Sequence, residues 1–359
     1  MRITAFFTRT LAFMAGIGGT LLLLEGVLRL LPVLSGTYAA DPRAAWPVHT
    51  MIPNSRFTYS TGWNLQNIRR GRINNYGYVA PFDYAPAKGA GRDTIAVFGD
   101  SYVEALMNDY GDTLHGALND YLKTPRTVLN FGASGAEMPD YLGTAALVRR
   151  DFSPQWAVFV ITSGDFTRGF SAGPGYFEWA PERSPPVKLV PEINRSASSQ
   201  WLRTVALIRY LRGNLSLRPG ELIRLRRGAE AAEPSAPCRS EVLSKQDETL
   251  LAAFARELPL ALALPPGRVI LVFDADRKAI HAGKTRLEAG KCLARAARAN
   301  DRLQELAAQA GIHVIDSYPV FQRYFVERLG PLDRSPLDAH WNPAAHRLMA
   351  QEVARLIEQ

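Results

Sequence analysis

Polar and apolar positions follow three different rhythms along this chain. From Leu11 to Leu34 the residues are almost wholly apolar, interrupted only by Glu25 and Arg29. A helix needs roughly 20 apolar residues to cross a bilayer core, so this run predicts one N-terminal transmembrane helix. From 37 to 90 the chain is rich in Pro, Gly, Tyr and Asn and lacks helical periodicity. That composition predicts a linker followed by short strands or loops, with Arg72-Ile-Asn-Asn-Tyr-Gly-Tyr as a structural turn between extended pieces.

From Asp93 onward, short apolar runs alternate with helical stretches. Thr94-Ile-Ala-Val-Phe, Thr127-Val-Leu-Asn-Phe, Trp156-Ala-Val-Phe-Val-Ile, Arg268-Val-Ile-Leu-Val-Phe and His313-Val-Ile-Asp read as strands buried in a parallel sheet. Helices are expected near 103–122, 138–150, 284–310 and 343–357, the last capped by Asn342 with Pro343 in its first turn. The alternation predicts a three-layer α/β/α sandwich around a mainly parallel sheet. Residues 171–245 break this rhythm and read as an insertion or lid, partly helical around 201–211. The expected organisation is therefore a tip and anchor at 1–36, an extension at 37–90, and one domain at 91–359 carrying that insertion.

Composition narrows the setting. A 47% hydrophobic and 21% charged chain is ordinary for a globular protein. The net charge of +8 comes mostly from arginine, and no nucleic-acid-binding motif accompanies it. An arginine run from Arg203 to Arg227 suits either a solvated face or docking on anionic lipid or an acidic glycan. Arg2 and Arg9 precede the apolar run and no acid does, which holds the N-terminus in the cytoplasm and the remainder in the periplasm. A cleaved signal peptide is the alternative, but the run is long for one, and small residues suited to cleavage appear only from Gly36 to Ala40. Glu25 and Arg29 share a helix face and are expected to pair at the outer interface. Cys238 and Cys292 are too few for a metal cluster, and in an oxidising compartment they are candidates for a single disulfide.

Candidate chemistry centres on Ser101. Phe98-Gly-Asp-Ser-Tyr falls where the first buried strand gives way to a helix, and parallel sheets build their sites at the carboxyl ends of strands. A serine there has its own N–H at a helix N-terminus, where it stabilises a developing oxyanion. The hydroxyl needs a base. His340, in Leu337-Asp-Ala-His-Trp-Asn-Pro, has Asp338 two residues before it to orient the imidazole. His346 is the competitor, but it falls inside the last helix; His49, His115, His281 and His313 read as structural or exposed.

Gly99-Asp100-Ser101, Asn130-Phe-Gly-Ala-Ser-Gly135 and the Asp338–His340 loop together resemble the first, second and last blocks of the SGNH (GDSL) hydrolase family, spanning about 93–359 without the insertion. The resemblance implies a serine esterase with Ser101, His340 and Asp338 as its triad and Gly135 N–H in its oxyanion hole. It implies no metal and no organic cofactor. Two departures stand out. The third block is Ile161-Thr-Ser-Gly-Asp165-Phe, without the family's asparagine. Ser163 or Gly164 would have to take that place, and Asp165 is assigned a structural part. The Asp-x-His spacing is shorter than the usual Asp-x-x-His, and resembles the branch that moves acetyl groups on exported polysaccharides. The expected function is an O-acyl, foremost O-acetyl, esterase or transferase on an exported glycan. Its expected partners are the inner membrane and polysaccharide export machinery, with no nucleic acid. A lipase or thioesterase, and a feebly active glycan-binding scaffold, are the alternatives.

Overall fold

A computed structural model describes the chain except for residues 1, 41–42, 44–45, 87–92, 167–171, 192–196, 218–241, 284–294, 329 and 336–337. Cys238 and Cys292 lie outside the described residues. Two compact units emerge: one comprises Met1–Tyr38, Arg56–Arg70 and Arg195–Ala232, the other the remainder. This division cuts the chain differently from boundaries at 36 and 90. The segment after the N-terminal helix joins a hairpin and part of the insertion, while most of 71–194 joins the sheet.

The larger unit is built on five parallel strands: β1 (Thr94–Gly99), β2 (Thr127–Gly132), β3 (Trp156–Ile161), β4 (Val269–Phe273) and β5 (His313–Asp316). Their spatial order is β2-β1-β3-β4-β5. The runs are mostly apolar, and β1, β3 and β4 are buried along their whole length, because both sheet faces are covered. Phe98, Phe131, Phe159 and Leu271 point into one core, shared with helices α1 (Met138–Phe152), α2 (Lys245–Leu262) and α3 (Arg295–Gln309). Val97, Val128, Val158 and Val272 fill the opposite core beneath α4 (Pro343–Ile357) and the helix Ser317–Val326. Phe98 and Phe159 stack across neighbouring strands with centroids 4.4 Å apart. The fold is thus the expected three-layer α/β/α sandwich.

Helix ends follow local chemistry. Asn342 Oδ1 accepts from Ala345 N at 3.0 Å and starts α4. α2, which the hydropathy pattern did not single out, opens with Ser244 and Asp247 capping each other's backbone N–H groups at 3.2 and 2.9 Å. It buries Leu250, Phe254, Leu258 and Leu262, a spacing of four that marks one helix face.

The single helix expected at 103–122 is instead broken. Helix Ser101–Glu104 stops at Ala105, which adopts φ 51°. A second short helix, Leu114–Ala117, restarts with the Thr113 hydroxyl accepting from Gly116 N at 3.1 Å. Between them Asn108 Nδ2 donates to Trp341 O at 3.0 Å, an anchor that irregular backbone provides.

The smaller unit gathers around the end of the long helix Arg2–Leu30. Phe6–Leu30 holds an 18-residue stretch of mean hydropathy 1.9 and is long and apolar enough to cross a membrane. Arg29 Nε donates to Glu25 at 2.7 Å, as their spacing predicts. The Glu25 carboxylate also accepts from Ala206 N (3.0 Å) and Leu207 N (2.9 Å), capping the short helix Ala206–Arg209. Gly36 adopts φ 75°, and a Cβ there would lie 2.1 Å from Arg56 O, so its smallness serves the contact with the hairpin Arg56–Thr61/Gln66–Arg72.

Candidate active site

Strand order 2-1-3-4-5 opens a crevice beside β1, at the carboxyl ends of the strands. Ser101 sits there as the first residue of its short helix, with Asp100 Oδ1 capping Tyr102 N at 2.8 Å. Two glycines let this turn lie close to the sheet. A Cβ on Gly99 would meet Val103 Cγ2 at 2.4 Å, and one on Gly132 would meet Glu104 N at 2.3 Å.

The remaining candidates arrive from the chain's far end. Asp338–Trp341 is a short strand paired antiparallel with Asp333–Ser335 rather than the open loop expected. It carries His340 to Ser101, with Nε2 2.7 Å from Oγ. His340 Nδ1 is 2.5 Å from Asp338 Oδ1, which also accepts from His340 N at 3.2 Å. Neutral imidazole bearing its proton on Nδ1 therefore leaves Nε2 free to take the serine proton. His346 is excluded from that task. It is buried, accepts from Leu114 N at 3.1 Å, and is pushed down to about 3 by burial.

Gly135 follows β2 with φ 81°, a left-handed turn that suits glycine. Ser163 and Gly164 occupy the exposed turn after β3, where Gly164 N donates to Thr162 Oγ1 at 3.3 Å. Asp165 is buried beneath that turn, and its carboxylate accepts from Thr162 N (2.8 Å), Thr162 Oγ1 (2.9 Å) and Tyr141 OH (3.0 Å). Burial holds its pKa well above the usual carboxylate range, the nearby Asp100 adding to the effect. These bonds fix the turn after β3 to α1. They give Asp165 a structural place in this site.

Two groups of residues that the sequence reading passed over pack against the elements that carry Ser101, His340 and Gly135. The first is centred on Arg277, buried at 5% relative exposure. Its guanidinium bonds to Asp274, to Asp333 Oδ1 at 2.5 Å, to Tyr102 OH at 2.9 Å, and to the Ala339 carbonyl. Tyr102 OH also donates to Ala339 O at 2.9 Å, and Trp341 Nε1 to Asp274 Oδ1 at 2.7 Å. The peptide between Asp338 and His340 is thereby gripped from two sides. Asp274 directly follows β4, a strand-end position that was the one available signal.

The second is Glu104, buried and accepting a hydrogen bond from the Ser134 hydroxyl next to Gly135. Burial pushes this carboxyl up to about 7. Asp100, partly buried, is raised to about 6 by desolvation, with the Asp274 charge contributing.

No family model matches the chain, and no curated protein matches it. Solved structures do resemble it. A member of the lipolytic protein G-D-S-L family from Veillonella parvula DSM 2008 is 13% identical, covering 73% of this chain and 96% of its own, with a TM-score of 0.36. A catalytic mutant of an acetylxylan esterase from Geobacillus stearothermophilus is 13% identical, covering 76% and 96%, with a TM-score of 0.39. A carbohydrate acetylesterase family member from Sinorhizobium meliloti is 12% identical, covering 74% and 99%, with a TM-score of 0.33. Likeness at these values adds nothing about what this chain acts on.

Two outcomes follow from the supporting residues. Arg277→Lys keeps the charge between Asp274 and Asp333 but loses the planar fork, so ester turnover should show kcat reduced on the order of 10- to 100-fold with KM little changed. An unchanged kcat would mean that the grip on Ala339 does not position His340. Glu104 has a folded pKa raised to about 7 from an ordinary 4.5, so the native state prefers its neutral form. Its contribution is complete below about pH 4.5 and is lost as pH rises toward 7. Thermal melts should therefore show the wild-type Tm declining across that window more than the Tm of Glu104→Gln; parallel declines would contradict the assignment.

Proposed function

We propose that this chain is a serine esterase or acyltransferase of the SGNH type. It acts on O-acyl groups, foremost O-acetyl, of an exported glycan from the outer face of a bacterial inner membrane. The observation that carries the proposal is the Ser101–His340–Asp338 alignment at the mouth of the parallel-sheet crevice.

In this reading Ser101 Oγ attacks the ester carbonyl while its proton passes to His340 Nε2. Asp338 holds Nδ1–H and stabilises the imidazolium. The carbonyl oxygen becomes an oxyanion and takes hydrogen bonds from the N–H groups of Ser101 and Gly135, at positions where a helix start and a left-handed turn present donors. Collapse breaks the bond to the sugar oxygen, which leaves with the proton from His340. Water, or a hydroxyl of an acceptor sugar, is then deprotonated by His340 and attacks the acyl-serine, regenerating the enzyme. No metal or organic cofactor takes part in these steps.

A short acyl group is supported by a cavity of about 80 Å³ that Gly135 lines together with Tyr176 and Phe177, a volume of the size of an acetyl group. Membrane attachment is supported by Glu25. Its carboxylate caps backbone N–H groups more than 180 residues later in the chain, a role that would be lost if the helix were cleaved away. The arginine bias at the extreme N-terminus supports a periplasmic catalytic unit. Association with polysaccharide export machinery fits the same setting.

The test is p-nitrophenyl acetate hydrolysis by the full chain in detergent, beside Ser101→Ala and His340→Ala. Each substitution should lower kcat at least about 1000-fold while leaving the melting temperature near wild type. Background-level turnover by the folded wild-type chain would favour a glycan-binding role instead, consistent with a turn after β3 that lacks an asparagine donor.

A further inference from the structure

A cavity of about 380 Å³ opens in the smaller unit, lined by Leu34, Tyr38, Leu202, Arg203, Arg209 and Arg212 among others. Leu34 stands four residues beyond Leu30, the last residue of the apolar helix. Asn214 fixes the cavity's position relative to that helix end. Its Oδ1 accepts from Leu34 N at 3.1 Å, and its Nδ2 donates to Ser60 Oγ at 2.8 Å and to Ser60 O at 3.0 Å. Ser60 Oγ in turn donates to Pro32 O at 2.6 Å. Tyr38 OH donates to Arg203 O at 2.9 Å, and the Arg203 guanidinium lies 5.1 Å from the Tyr38 ring centroid.

Charge in the cavity is one-sided. Three arginines line it, and no acidic residue does so among the described residues. Arg209 Nε is buried with no hydrogen-bond partner among them, a state that costs free energy unless an acceptor is supplied. Glu25, the one carboxylate among the described residues of the smaller unit, is already engaged by Arg29, Ala206 N and Leu207 N. The same unit exposes Trp63 (76%) and Trp201 (64%), the latter next in sequence to the cavity residue Leu202, indole side chains of the kind that settle at membrane interfaces. Leu30 and Leu31, a few residues before the cavity residue Leu34, are exposed as well.

We propose that this cavity holds the headgroup of an anionic glycerophospholipid from the leaflet that the N-terminal helix enters. The guanidinium groups of Arg203, Arg209 and Arg212 take the phosphate oxygens, and Leu34 and Leu202 take the glycerol and first acyl carbons. A planar guanidinium matches phosphate with paired hydrogen bonds, and a cationic site at membrane level selects anionic lipid over zwitterionic lipid. The proposal rests on the membrane-anchored reading above. It adds a specific lipid site that holds the smaller unit against the bilayer surface.

The experiment uses the full chain in nonionic detergent, with bound lipid counted by native mass spectrometry during titration with phosphatidylglycerol or phosphatidylcholine. One phosphatidylglycerol should bind per chain at least about tenfold more tightly than phosphatidylcholine, and Arg209→Gln/Arg212→Gln should abolish that preference. Ester turnover of the double variant, whose substitutions lie outside the triad and its supports, should match wild type and so report intact folding. The single variant Arg212→Gln should lie between. Equal affinity for the two lipids, a preference that survives the double substitution, or full displacement of phosphatidylglycerol by equimolar inorganic phosphate would each overturn the proposal. Flotation of the chain with phosphatidylcholine vesicles separates the two readings. Flotation together with equal affinity for the two lipids in the titration defeats the headgroup site alone, whereas failure to float defeats the anchor and the site with it.

Discussion

A 2.7 Å hydrogen bond between Ser101 and His340 joins residues 239 positions apart, and most features of the larger unit bear on keeping it short. Neither partner sits on a long element. Ser101 opens a helix of four residues, and His340 lies in a four-residue strand. Such pieces have little stability of their own, since a short helix does not repay the entropy of its nucleation. Their placement comes from outside: from Gly99 and Gly132 beneath one, and from Arg277 and Tyr102 on the carbonyl of Ala339 beside the other.

This arrangement concentrates buried charge around the crevice. Asp274, Arg277 and Asp333 form one group in which the guanidinium answers two carboxylates. Asp100, Glu104 and Asp165 have no such counter-ion among their principal hydrogen-bond partners, and burial raises the pKa of all three. Preorganised polar groups of this kind stabilise charge that develops during reaction without reorganising at that moment. The free energy is spent at folding. The Phe98–Phe159 stack and the two apolar cores on either side of the sheet offset it.

Much of this was legible from residue patterns, for identifiable reasons. The strands read clearly because those in the middle of the sheet are buried on both faces, so apolar residues dominate their runs. The last helix read clearly because Asn342-Pro343 is a strong local start. Ser101, Asp338 and His340 were accessible because they flank such elements. The 103–122 segment was misread because helix propensity is local, whereas the contacts that break the helix, Glu104 against Gly132 and Asn108 on Trp341, are long-range. Arg277 was invisible for the same reason: its value lies in Tyr102, Asp333 and Ala339, which only the fold brings to it. The units likewise mix segments distant in sequence, as with Glu25 capping Ala206 and Leu207.

Covalent labelling probes the central claim directly. A fluorophosphonate reacts with a serine oxygen only when a base activates it, displacing fluoride and leaving a phosphonyl adduct. Peptide mapping after brief exposure at neutral pH should place one adduct on Ser101, with labelling lost in His340→Ala while other serines stay unmodified. Labelling at Ser101 that is unaffected by His340→Ala, or no adduct on the folded wild-type chain, would contradict a His340-activated Ser101 nucleophile.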